Sequence, residues 1–180
     1  GTNEWSEMIP FEALPASWNP PAGRLVTANQ NPFPSSFPYP VHGNFASPYR
    51  SRQIETRLAS RGGWKPEDML RLQTDIYSGF SHFLAAQLVK AWKARGQNNP
   101  NLAEPGRMLA SWDGQMRTGA PEPLLVTLAY QSIRRAVGEN AAPGQGSSYE
   151  YQMAPWVIEN LLRTRPVSWF SDYDQLLLTV

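Results

Sequence analysis

The stretch Pro66-Glu-Asp-Met-Leu-Arg-Leu-Gln-Thr-Asp-Ile-Tyr-Ser-Gly-Phe-Ser-His-Phe-Leu-Ala-Ala-Gln-Leu-Val-Lys-Ala-Trp92 decides the fold class. Met69, Leu72, Ile76, Phe80, Phe83, Leu84, Leu88 and Trp92 recur at three- and four-residue steps, the spacing that lines one face of an α-helix. Pro66, Glu67 and Asp68 stand where a helix N-terminus favours proline and acids. The pattern predicts one long amphipathic helix running from Pro66 to Gly96. Phe80, Phe83 and Trp92 fall on its apolar face and are read as core rather than as a substrate pocket. Gln73 and Asp75 are read as makers of structural hydrogen bonds rather than as a catalytic pair.

Downstream of this helix the reading stays helical. Leu102 to Trp112 and Glu122 to Val137 are further candidates, the second carrying Leu125, Leu128, Ala129, Ile133 and Val137. Trp112-Asp-Gly114 reads as a helix C-terminus with a buried ring and a turn. Gly138 to Ser148 reads as a flexible linker, and Pro155 to Thr164 as a helix stopped by Pro166. Ser171-Asp-Tyr-Asp174 has capping-box spacing ahead of Leu176, the start of a last helix that is cut short.

Upstream the character changes. Residues 1–49 hold nine of the seventeen prolines and a single Lys or Arg, Arg24. Arg24 to Thr27, after the Pro21-Ala-Gly23 turn, is the one strand candidate, and Asn29 to Pro32 reads as a turn. Residues 33–40 read as largely extended, because residues before proline avoid the helical region. The alternating prolines there lack an adjacent basic residue, which argues against a ligand for peptide-binding domains. From Arg50 to Ser60 a short basic helix begins, closed by Gly62-Gly63. The expected architecture is mainly α: an extended, loop-rich arm over residues 1–49 and a helical domain over residues 50–180.

Composition narrows the function classes. A 180-residue chain that is 41% hydrophobic can bury a core of about one domain, and seven each of Trp, Tyr and Phe argue against disorder. The net charge of +1 invites neither nucleic acid nor an anionic membrane surface. With no cysteine, disulfides and thiolate metal sites are excluded. No apolar run reaches the roughly 20 residues of a membrane-spanning helix. His42 and His82 have no acid at ligand spacing, so no metal site is expected from them. The chain starts at Gly1 with no signal-peptide pattern, and is read as an excised piece or a processed subunit.

The chemistry-bearing stretch is Asn19-Pro-Pro-Ala-Gly-Arg-Leu-Val-Thr-Ala-Asn-Gln-Asn31, followed by Pro48-Tyr-Arg50-Ser-Arg-Gln-Ile54. A side-chain amide N–H can stabilise an oxyanion and a guanidinium can lock polar neighbours in place. Taken alone, Asn29 and Asn31 read equally as turn formers and Arg50 as a solvated helix residue.

Order and spacing add more. Gly1-Thr-Asn-Glu-Trp5, Ile9-Pro10, Leu14-Pro15, Asn19-Pro20, Gly23, Val26-Thr-Ala-Asn29, Pro48-Tyr-Arg50 with Arg52 and Ile54, Glu67-Asp-Met69, Leu72-Gln-Thr-Asp75 and Leu109 with Trp112-Asp-Gly114 together resemble the penicillin amidase (penicillin acylase) family. The match runs over roughly residues 1–135 and falls on an internal section of that family's β subunit. The resemblance implies an N-terminal-nucleophile hydrolase that splits an N-acyl amide, penicillin or a related compound, into a carboxylic acid and an amine. In such an enzyme a serine at the β-subunit N-terminus attacks the amide with its own α-amino group as base, a group whose pKa of roughly 7.7–8.0 suits that task. Asn31 matches the family's oxyanion asparagine and Arg50 its active-site arginine, there to orient the asparagine and the nucleophile's surroundings.

Departures accompany the match. The serine nucleophile is missing, and Thr2 would serve only if Gly1 were removed. Calcium is found in many family members through an aspartate between the asparagine turn and the arginine, but residues 32–49 hold no acid, so no calcium ligand and no other cofactor is expected in this chain. The expected partners are the α subunit, the rest of the β subunit and a small N-acyl amide; the expected location of the parent is periplasmic or extracellular. Two other readings stand beside this one: a non-catalytic helical scaffold or specificity module, and an acyl-homoserine lactone acylase as the parent activity.

Overall fold

The computed structural model describes residues 8–180. The chain divides into two compact units, residues 1–63 and 64–180. Among the described residues the regular structure is helical, with a single isolated antiparallel bridge between Tyr77 and Gln115. The expectation of a mainly α protein holds. No helix among them is long and apolar enough to cross a membrane.

In the first unit a one-turn helix at Phe11–Ala13 precedes a long irregular segment and helix α1 (Tyr49–Ala59). The expected strand at Arg24 to Thr27 does not form: no neighbouring segment offers it a ladder, and side chains hold it instead. Residues 33–40 are also less extended than expected. Phe37 N–H donates to Pro34 C=O at 2.9 Å, closing a turn through Ser35 and Ser36. Neither serine precedes a proline, so neither is barred from turning.

The second unit contains α2 (Pro66–Gln73), α3 (Gly79–Ala91), α4 (Pro100–Ser111), α5 (Glu122–Ala141), the short α6 (Gly146–Tyr149), α7 (Pro155–Thr164) and α8 (Tyr173–Thr179). Helix α3 is the hub, packing on α4, α5, α7 and α8. Leu84, Val126, Ile133, Val137 and Ile158 are the largest fully buried side chains, each worth about 1.5–3 kcal/mol of burial. Phe80 is buried against Tyr130 at a 4.9 Å centroid distance, while Phe83 lies half-buried under the Arg163 guanidinium at 4.5 Å.

The single long helix expected from Pro66 to Gly96 is broken. α2 stops at Gln73, where the Thr74 hydroxyl donates back to Leu70 C=O at 2.9 Å. Asp75 leaves the helix and accepts from the Tyr77 N–H at 3.1 Å and from Gln115 Nε2 at 3.3 Å, the structural role expected of it. Ser78 then caps α3, its hydroxyl accepting from Ser81 N–H at 3.3 Å. The apolar spacing carried on across this break, whereas the cap residues ended one helix and began another. After Ala91 the chain widens into a π-helical turn over Trp92–Gly96.

Two more expectations change. Gly138 to Ser148 is not a flexible linker: α5 continues to Ala141, and a Cβ on Gly138 would sit 2.7 Å from the Gly146 carbonyl oxygen. The Glu139 carboxylate accepts from the N–H groups of Gly144 and Gly146; Gly138 and Gly146 serve a close approach, and Gly144 turns at φ +76°. At α8 the cap is Asp172, which accepts from Gln175 N–H at 2.9 Å, and not Ser171; Asp174 pairs with Arg165 at 2.7 Å instead. Trp112-Asp-Gly114 does end α4 as expected: the ring is buried, its Nε1–H donates to Gln115 C=O at 3.0 Å, and Gly114 turns at φ +80°.

Candidate active-site turn

The candidate site lies wholly within the first unit and starts at a turn closed by Gly23 N–H donating to Pro20 C=O at 2.8 Å, with Gly23 at φ +66°. From there Arg24 reaches across to α1. Its Nε donates to Glu55 Oε1 at 2.8 Å, its Nη2 donates to the same oxygen, and its Nη1 donates to Ala22 C=O at 3.1 Å. This ion pair ties the start of the asparagine stretch to the helix that carries Arg50.

The turn is closed from within as well. Gln30 Oε1 accepts from Ala28 N–H at 2.6 Å while its Nε2 donates to Val26 C=O at 3.3 Å, so one side-chain amide substitutes for a missing strand partner. Ala28 is buried, and Asn29 adopts the left-handed region at φ +61°, which asparagine tolerates better than most residues. Asn29 C=O accepts from Ala46 N–H at 2.7 Å, drawing the returning chain alongside.

Arg50 stands at the first turn of α1 and closes the arrangement. Its Nη2 donates to Ala28 C=O at 2.9 Å and to Asn29 Oδ1 at 2.7 Å. Of the two asparagines, then, Arg50 holds Asn29, not Asn31. Asn31 is exposed, and its Oδ1 accepts from Phe33 N–H at 2.9 Å, an Asx turn. Because an N–H can bond only to the carboxamide oxygen, this contact leaves the Asn31 NH₂ as the group with hydrogen bonds still to give.

The aromatic segment that follows folds onto itself. Phe33 meets Phe37 at 4.7 Å with the rings tilted by 46° and meets Phe45 at 6.5 Å, and Phe37 meets Tyr39 at 5.6 Å. Among the described residues no three His, Asp or Glu side chains gather in one group. Gly1, Thr2 and Trp5 lie outside the described residues.

The penicillin amidase model of protein families matches residues 1–177. The chain belongs to the penicillin amidase family. It is 27% identical over 174 residues to the penicillin acylase 2 proenzyme of Pseudomonas sp. (strain SE83), a match that covers 91% of this chain and 22% of that relative. Within this penicillin amidase segment, sequence reasoning singled out Asn31 and Arg50 but missed Asn29 as the arginine's partner, and it missed Gln30 and Glu55 altogether. A signal for Glu55 was present: Arg24 is the only Lys or Arg before Arg50, and Glu55 is the only acid in α1.

Proposed function

We propose that the enzyme carrying this chain is an N-terminal-nucleophile amidohydrolase that cleaves an N-acyl amide, penicillin or a related acyl amide, into a carboxylic acid and an amine. Family membership supports the reaction class, and the hydrogen-bonded Asn29–Arg50 turn with the uncommitted NH₂ of Asn31 is the observation that carries the chain's part in it. The serine nucleophile and its α-amino base belong to the remainder of the enzyme, which is the chain's partner. The whole protein works outside the cytoplasm.

In this reading the serine hydroxyl attacks the amide carbon as its proton passes to the α-amino group. The carbonyl oxygen becomes an oxyanion, and Asn31 Nδ2–H donates to it. Collapse of the tetrahedral intermediate returns the proton to the leaving amine, and water then hydrolyses the acyl-serine ester to the acid. Asn31 contributes only where charge develops, so it acts on kcat. Arg50 is a positioning residue: through Asn29 Oδ1 and Ala28 C=O it holds the turn that presents Asn31. The isolated chain has no nucleophile to use and is inactive.

The test is Asn31→Ala in the whole enzyme, assayed on a phenylacetyl amide with the 180-residue chain as control. We expect kcat to fall by about 10²- to 10³-fold with KM little changed, and no turnover from the chain alone. Unaltered kcat removes Asn31 from the oxyanion site.

A further inference from the structure

A second feature lies in the helical unit and does not depend on the amidase reading. Helices α3 and α4 pack together and leave an open cleft of about 390 Å³ beside them. From His82 to Lys90 its α3 wall follows about two turns of helix, roughly 12 Å at 1.5 Å per residue. The wall then continues to Lys93 on the π-helical turn.

The cleft is apolar along its length and cationic at one end. Leu109 and Trp112, both buried, line it together with Val89. His82 stands at the end away from the lysines, fixed by the Tyr77 hydroxyl 2.9 Å from its Nδ1 and by an edge-to-face contact with the Trp112 ring at 6.1 Å.

Lys90 and Lys93 supply the charge. Both are exposed, and a separation of three residues makes them neighbours on the helix surface, where like charges repel. Among the described residues neither takes part in an ion pair, whereas Arg95 close by is bound to Asp172 at 2.5 Å. No carboxylate lines the cleft. Asp113, next to Trp112 in sequence, has both oxygens committed to Arg117, at 2.8 and 2.7 Å. Two ammonium groups thus stand beside an apolar groove without a counter-charge, one of them on a π turn, a device found often at functional sites.

We propose that this cleft binds a small amphipathic carboxylate of the fatty-acid type, its head between Lys90 and Lys93 and its alkyl chain along Ala86, Val89 and Leu109 toward His82. The uncompensated positive charge selects the sign of the head, and the apolar wall selects the tail. A bare phosphate would leave that wall uncovered, and a neutral chain would leave both ammonium groups without a counter-charge.

Octanoate and octylammonium share a tail and differ in the sign of the head, while acetate has the head without the tail. Binding to the 180-residue chain is followed by calorimetry and by the methyl NMR signals of Ala86, Val89 and Ala110, which line the cleft. We expect octanoate to bind and to move these signals, with octylammonium and acetate weaker by about tenfold or more. Lys90→Glu combined with Lys93→Glu should reverse the preference between the two octyl compounds; both positions are exposed, so the variant should keep its fold. Ala86→Phe, which fills the cleft from an exposed position and keeps both lysines, should abolish octanoate binding. In the whole enzyme octanoate should move the same methyl signals. Signals that stay still there would mean that the rest of the polypeptide fills the cleft. That outcome, equal binding of the two octyl compounds, acetate as tight as octanoate, or an unreversed preference in the double variant each overturns the proposal.

Discussion

Replacing Asn31 with aspartate separates the two things an asparagine can do at this turn. The carboxamide oxygen accepts from Phe33 N–H at 2.9 Å, and an aspartate carboxylate keeps that bond, strengthened by its charge. What the aspartate would lack is the NH₂, and it would add a negative charge beside a developing oxyanion. Loss of one such donor costs about 2.7–4 kcal/mol in the transition state, or 10²- to 10³-fold in kcat, and the added charge pushes the cost toward the upper end. Asn31→Ala loses the donor and the turn bond together; because the residue is exposed, that bond contributes toward the low end of about 0.5–1.5 kcal/mol to stability. The expected order is therefore opposite for the two observables. In kcat, Asn31→Asp is the worse variant; in thermal stability it is the better one. A residue that only formed the turn would give Asn31→Asp wild-type rates and make Asn31→Ala the worse in both. Steady-state hydrolysis of a phenylacetyl amide by the whole enzyme, alongside thermal melts, reads both orders. Full kcat in Asn31→Asp would refute the donor role.

Other outcomes follow from the same contacts. Arg50→Met removes the donor shared by Ala28 C=O and Asn29 Oδ1, and should reduce kcat of the whole enzyme while costing only about 0.5–1.5 kcal/mol in folding. Asn29→Gly keeps the φ +61° backbone and the Ala28 contact, so its loss of kcat should be smaller; the reverse order would show that Arg50 works elsewhere. Gly114→Ala combines a left-handed backbone with a Cβ 2.5 Å from Tyr77 Cε2 and 2.9 Å from His82 Cβ, which should destabilise the chain by about 2–5 kcal/mol and lower Tm by roughly 5–15 °C. An unchanged melt would mean that Tyr77 and His82 move aside freely. The Asp113 carboxyl is lowered to about 2, first by its bond to Arg117 and then by the Gln115 N–H. Since its folded value is depressed, its contribution to stability is complete above its unfolded value of about 3.9 and is lost as pH falls through the folded one. Arg117→Met should raise the value in a carboxylate NMR titration; no change would assign the shift to the backbone alone.

The helical character was legible because burial leaves a periodic trace. The starts of α5 at Glu122 and α7 at Pro155, and the stop before Pro166, follow from proline placement and apolar spacing that local rules read well. The break between α2 and α3 was hidden, because Leu72, Ile76 and Phe80 keep helical spacing across it while Thr74, Asp75 and Ser78 form the bonds that end and restart the helix. Gly138 and Gly146 were misread for a related reason. Glycine signals both freedom and close approach, and only the packed neighbour tells which applies. At the candidate site, residue type marked an asparagine turn and an arginine, but spacing alone does not say which of two asparagines a guanidinium 19 or 21 positions on will meet. Gln30 left no trace, since its two bonds run to the backbone of its own turn.

The Arg24–Glu55 ion pair joins residues 31 apart in sequence, and Arg50 meets Asn29 across 21. Closing loops of these two lengths differs by only about 0.3 kcal/mol in chain entropy. Both contacts are non-local, so the turn takes its shape only once loops of that size have closed. The geometry around Asn31 is nevertheless settled by some thirty consecutive residues of chain.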